Sequence, residues 1–158
     1  MKARFLASAA VAAAVVLGTS ACNLVAPQAT TLQYNASDGV SGDVGSIAIR
    51  NAVVISDNGS DGNLVFTAVN DGGPHMLRVQ YGDDQSVEVM VDANASVLFG
   101  GDTTDAVLLE DIGVQPGGLL NVYFQYGQEP GLELPVPVLN GDLREYSTLV
   151  PTDSEAAD

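Results

Sequence analysis

Apolar residues between Leu32 and Val150 fall in short runs separated by turn sequences rich in Gly, Asp and Asn. Within a run they occupy every second position, as Leu77, Val79 and Tyr81 do. A period of two places alternate side chains on opposite faces of a β-strand, so each run predicts a strand with one buried face. The runs cover residues 47–55, 64–69, 76–81, 87–91, 97–99, 107–112, 119–126 and 132–139.

This pattern predicts an all-β fold. No segment in this region keeps the 3.6-residue period of a helix. Seven to eight strands without intervening helices are typical of an antiparallel β-sandwich of the immunoglobulin or cupredoxin type. The chain has one cysteine and no tryptophan, which excludes a true antibody-type domain. Proline cannot donate to a sheet ladder, so Pro135 and Pro137 predict an edge or interrupted last strand.

The first 22 residues have the pattern of a secretory leader. Lys2 and Arg4 precede an apolar run of about 12 residues, shorter than the roughly 20 that a membrane-spanning helix needs. The small residues before Cys22 resemble a bacterial lipobox, in which the cysteine receives diacylglycerol and becomes the mature N-terminus, although Thr19 stands where the usual pattern has Leu. The alternative is cleavage after Ala21 that leaves a free thiol.

The chain therefore divides into four expected parts. Residues 1–21 form a lipoprotein signal peptide, and residues 22–43 a lipidated N-terminus with a flexible tether. Residues 44–150 form the β-sandwich domain. Residues 151–158 contain no large apolar side chain and form an acidic disordered tail.

The net charge of the chain limits the classes of partner that it can bind. The chain has 20 acidic and 5 basic residues, a formal net charge of −15, and only Arg50, Arg78 and Arg144 follow the leader. Such a surface repels phosphate backbones, so no nucleic-acid binding is expected. Basic or metal-bearing partners are favoured instead.

The sequence offers little for catalysis. His75 is the only histidine, so any nucleophile–base unit that uses an imidazole depends on it. The chain contains neither a Gly-x-Ser-x-Gly turn nor a phosphate-binding glycine loop. We expect no enzyme activity.

A copper site is an open alternative. If the runs 76–81 and 87–91 form a hairpin around Gly82, Asp83 and Asp84, Met76 lies opposite Met90, with His75 at the strand start. Thioether and imidazole ligands suit Cu(I). A register shifted by two residues loses the facing pair. The other interpretation makes both methionines ordinary half-exposed or partner-contacting side chains.

Several segments together resemble small actinobacterial lipoproteins of the LpqE type. Besides the lipobox, they are YNASDG (34–39), VGSIAIRNAV (44–53), LVFTAVND (64–71), VQPGG (114–118) and LPVPVL (134–139). The resemblance implies a distant relation to periplasmic copper chaperones, which are cupredoxin-like sandwiches that bind Cu(I) through two His and two Met. His75, Met76 and Met90 match only part of that motif, and the second His-x-Met half is absent.

The functional hypothesis is a lipid-anchored, non-catalytic interaction module on the extracytoplasmic face of the cell membrane. It would bind the membrane through lipid on Cys22 and contact an unidentified envelope protein, without a cofactor. The alternative is a copper metallochaperone that holds Cu(I) on His75, Met76 and Met90. A third possibility is a purely structural envelope component.

Overall fold

The structure is a computed structural model that describes residues 2–25 and 37–151, with side chains from 3 to 15 in the first range. The chain divides into two compact units, Met1–Tyr34 and Asn35–Asp158. In the first, α1 covers Lys2–Val25. No helix within the described ranges is long and apolar enough to cross a membrane. Residues 26–36 of the expected tether, and the expected tail beyond Pro151, lie outside the described residues.

The second unit is built of β-strands, which confirms the all-β prediction. Nine strands are present in the described residues, β1 (Val40–Val44), β2 (Ile47–Ile55), β3 (Gly62–Asn70), β4 (His75–Tyr81), β5 (Gln85–Val91), β6 (Ala95–Phe99), β7 (Leu108–Leu109), β8 (Leu119–Gln125) and β9 (Leu132–Leu139). The additional strand is β1, whose pairing with β2 begins at Val40, ahead of the expected domain start at Val44.

The strands follow the order β5-β4-β8-β9-β2-β3-β6, with β1 also on β2 and β7 also on β3. All pairs are antiparallel except β2 and β9, which run parallel through Val54↔Val138 and Ile55↔Leu139. Strand β9 therefore connects the two halves of the sandwich, β5-β4-β8-β9 and β2-β3-β6, into one mixed sheet that is nearly barrel-like. The sequence prediction of a purely antiparallel sandwich is corrected in this one pair.

The prolines of β9 explain why that connection is short. Val138 N–H donates to Gly118 on the β8 side at 3.0 Å. Successive residues of a strand direct their N–H groups to opposite sides, so the nitrogens of Pro135 and Pro137 face away from β8. On that side β9 pairs with β2 only at its last two residues. The strand lies inside the sheet order, and its ladder is interrupted as the prolines predict.

The main core lies between the two halves. Phe66 is fully buried, its ring centroid lies 5.1 Å from that of Phe99, and it meets Phe124 edge-on at 5.6 Å. Aliphatic side chains from β2, β4, β8 and β9 surround these rings. The alternating apolar positions of the sequence supply nearly all of them.

A smaller core covers the other face of β2. A bulge at Asn51, with φ of 52°, shifts the register of β2, and Val53, Val54 and Ile55 are then all buried. Alternation ends there because Tyr146, Leu149 and Val150 of the C-terminal segment pack over Val53 and Ile55. The C-terminal segment is therefore part of the fold.

Tyr146 gives this segment a pH-dependent contact. Its hydroxyl donates to Asp38 Oδ2 at 2.6 Å. This hydrogen bond, with partial burial and the charges of Asp38 and Glu145, raises the pKa of Tyr146 to about 12. Because the folded-state pKa exceeds the ordinary value of 10, the contact stabilises the fold fully below pH 10 and is lost as the pH rises toward 12.

An ultraviolet pH titration of tyrosine ionisation checks this contact. We expect Tyr146 to ionise near pH 12, and Tyr146→Phe to remove its contribution to the titration. Asp38→Asn removes the charge and should bring the pKa of Tyr146 down toward 10. A Tyr146 transition near pH 10 in the unaltered protein would contradict the contact.

Candidate functional site

The β4–β5 hairpin has the register that the sequence suggested. Met76 pairs with Met90, and Arg78 pairs with Glu88. The two methionine side chains are 46% and 53% exposed, and the Arg78 guanidinium contacts the Glu88 carboxylate at 2.9 Å. The structure thus places the two methionines opposite each other on the outer face of the hairpin.

His75 lies on the opposite face of the same strand. It alternates with Met76 and shares its side of β4 with the buried Leu77 and Val79. Its ring stacks on that of Tyr126 with centroids 4.2 Å apart, and the Tyr126 hydroxyl accepts a hydrogen bond from Ser46 N–H at 2.7 Å. The three proposed copper ligands are therefore split between two faces.

The sequence already contained the signal for this split. Neighbours in a strand point to opposite faces, so placing Met76 outward places His75 inward. In the described part of the chain, no three His, Cys, Asp or Glu side chains come together as a metal-binding group. Cys22 falls in α1, and its side chain lies outside the described residues, so lipidation stays a prediction.

A concave groove lies between strands β5 and β6. It encloses about 680 Å³, a size typical of small-ligand sites, and we call it the β5–β6 groove. Its lining residues are Val87, Glu88, Val89, Met90, Val97, Phe99, Thr103, Thr104, Asp105, Ala106, Val107 and Leu108. Val87, Val89 and Phe99 pack against the main core yet are only half-buried. The groove is therefore an opening into the core.

The groove exists because the sheet does not close. Strands β5 and β6 stand at the two ends of the strand order, so among the described strands each pairs on one side only. They are joined through residues 92–94, where the Asn70 amide donates to the Asp92 carbonyl at 2.9 Å. Near β7, the Tyr81 hydroxyl accepts from Glu110 N–H at 3.0 Å, and burial raises the pKa of Tyr81. Hydrogen bonds thus hold the connection between β5 and β6 and the segment that follows β7.

The charged side chains that line the groove are acidic. Glu88 and Asp105 lie in its lining, and none of the described residues that line it is a Lys or Arg. Glu88 is paired with Arg78 on the outer face, which leaves Asp105 as the carboxylate that sets the local potential. Sequence reasoning missed the groove because strand order, which leaves β5 and β6 unpaired, is not encoded in alternation.

The fold and the groove together define the structural class of the protein, which is a mostly-β, incompletely closed barrel with an apolar opening between its two end strands. No protein-family model matches the chain, and no curated protein matches it. Among solved structures, the chain is similar to a copper-bound PCuAC domain from PmoF2, with a TM-score of 0.47 and 14% sequence identity. The match covers 63% of this chain and 98% of that chain.

Proposed function

We propose that this protein is a non-catalytic binding module of the cell envelope, anchored to the membrane by lipid on Cys22. The β5–β6 groove is its binding site. The observation that carries the proposal is a groove of about 680 Å³ in whose lining Val87, Val89 and Phe99 are half-buried side chains that pack against the main core. An apolar opening of this kind is stabilised when a ligand covers it.

The chemistry of the groove supports binding rather than catalysis. The described residues of its lining include hydroxyls and carboxylates but neither an imidazole nor a thiol. The histidine of the chain is stacked on Tyr126, on the side of β4 that faces the main core. Within the described residues, the lining therefore lacks the hydroxyl–imidazole pair that many hydroxyl nucleophiles use.

The lipid anchor would raise the local concentration of the module at the membrane. Two or three acyl chains, at about 0.8 kcal/mol per buried methylene, hold a protein on a membrane essentially irreversibly. Confinement near the membrane raises the effective concentration of the groove toward envelope partners. A weak individual contact could then be sufficient for capture.

A position-specific photo-crosslink tests the proposal. The photoreactive residue p-benzoylphenylalanine replaces Val97 in the groove or, as the matched control, Leu119, which is 62% exposed on β8. In the full chain within its own envelope, we expect one defined adduct from position 97 and none of that mass from position 119. Cys22→Ser should strongly reduce the adduct, because the module then leaves the membrane.

Two outcomes would overturn the proposal. Equal adducts from both positions would mean that the groove is not a preferred contact site. A position-97 adduct of full yield in the Cys22→Ser chain would show that anchoring does not deliver the groove to its partner.

Copper handling is a second candidate function, favoured by the facing pair Met76 and Met90. Two exposed thioethers on neighbouring strands can approach one soft ion such as Cu(I). His75 faces the other way, so a complete site would need a ligand from a partner protein or from solvent. This arrangement suits transfer of the ion more than tight storage.

A Cu(I) competition titration of the full-length protein separates the contributions of the two faces. We expect Met76→Leu/Met90→Leu to abolish any binding above background, whereas His75→Ala leaves it unchanged within about twofold. Leucine conserves volume at both methionines, so the fold should be retained. Loss of binding in His75→Ala alone would contradict the outer-face site.

A further inference from the structure

The occupant of the β5–β6 groove must match both its backbone edges and its side chains. Strand β5 pairs with β4 through seven residue pairs, from Tyr81↔Gln85 to His75↔Val91, and has no strand partner on its other side within the described residues. Strand β6 pairs in the same one-sided way with β3. Each free edge presents a row of N–H and C=O groups that can extend the sheet.

The exposed apolar positions follow the spacing of a strand. Val87 and Val89 are two residues apart on the inner face of β5, and Val97 and Phe99 are two apart on β6. All four are half-buried and line the groove. An added strand places alternate side chains at this same interval, so its apolar residues would meet these four.

The charge of the groove selects among possible strands. Asp105 lies in the lining, Asp83 and Asp84 form the turn that leads into β5, and the chain has a formal net charge of −15. A second copy of this chain would bring the same negative charge against these residues. A segment carrying Lys or Arg between its apolar residues would be attracted instead.

We propose that the β5–β6 groove captures an extended polypeptide segment of alternating apolar and basic residues, which adds as a strand to the free edge of β5. This rests on the proposed function and names the partner class for the same groove. Backbone hydrogen bonds along β5 supply affinity, Val87 and Val89 receive the apolar side chains, and Asp105 attracts the basic ones. The partner is thus a protein with an exposed basic strand or linker.

A peptide titration tests strand addition on the full-length protein in detergent micelles. The probe is a short fluorescent peptide of alternating valine and lysine, and its binding is followed by polarisation. We expect saturable binding that Asp105→Lys weakens about tenfold, or roughly 1.4 kcal/mol. The charge-matched control Asp71→Lys, in the exposed turn before β4, should change affinity by less than about twofold.

A second peptide separates strand addition from simple attraction. Methylation of alternate backbone nitrogens keeps charge and side chains but removes hydrogen-bond donors, so we expect this peptide to lose binding. Equal binding of both peptides, or an equal effect of Asp71→Lys and Asp105→Lys, would overturn strand addition. A dimer that forms through β5 and excludes the peptide would overturn the choice of partner.

The photo-crosslink tests the binding module and the peptide titration tests the polypeptide partner, so either claim can fail while the other holds. A position-97 adduct with the mass of a lipid would uphold the binding module and overturn the polypeptide partner. Absence of any position-specific adduct would overturn the binding module itself, whatever the peptide does in solution.

Discussion

Replacing Phe66 with alanine is expected to lower the free energy of unfolding by about 3–5 kcal/mol. The ring is fully buried and contacts both Phe99 and Phe124, so its removal leaves a cavity between the two halves of the sandwich. Domains of this size are stable by roughly 5–15 kcal/mol in total, so the variant should be near its folding limit. Phe66 lies on β3, which pairs with β6, and the groove wall should also loosen.

Urea denaturation followed by circular dichroism measures this loss. The midpoint should fall while the slope stays constant, because the extent of unfolding is unchanged. Leu119→Ala is the control, since that side chain is 62% exposed and should cost less than about 0.5 kcal/mol. A Phe66→Ala loss below about 1.5 kcal/mol would contradict the aromatic core.

Replacing Cys22 with serine is expected to move the mature protein from the detergent phase to the aqueous phase in a Triton X-114 partition. Serine has no thiol to receive diacylglycerol, so the acyl chains that hold the protein on the membrane are lost. Mass spectrometry of the N-terminal peptide should show the lipid mass in the unaltered protein only.

Ser20→Ala is the matched control for this change. It alters a neighbouring position while keeping a small residue before the cysteine, so we expect it to stay in the detergent phase with the lipid mass. An unmodified Cys22 thiol in the unaltered mature protein would show instead that a secretory peptidase cuts after Ala21.

The alternation of apolar residues and the turn sequences predicted most of the fold. The apolar period of two located eight of the nine strands and supplied the register of the β4–β5 hairpin through its turn. It missed β1, where only Val40 and Val44 of VSGDV are large and apolar. It also missed the buried face of β2 beyond Asn51, because the C-terminal segment that covers it is distant in sequence.

The candidate site was harder to predict for a physical reason. A sequence shows which face of a strand is apolar, but pairing partners are set by the whole assembly. Nothing in Val87, Val89 or Val97 distinguishes a strand inside a sheet from one at its end. For the copper hypothesis, the sequence did contain the needed information. Alternation places His75 and Met76 on opposite faces of the strand, although their adjacency in the sequence suggests a shared site.

Amide hydrogen exchange of β5 on the native membrane tests most directly whether the groove is occupied. Membrane vesicles from the producing cells are compared with the same full-length protein after extraction and washing in detergent. We expect slower exchange in β5 and β6 on the membrane, with β2 unchanged because it is paired in both states. Equal exchange of β5 in the two states would contradict a groove that holds a partner in the envelope.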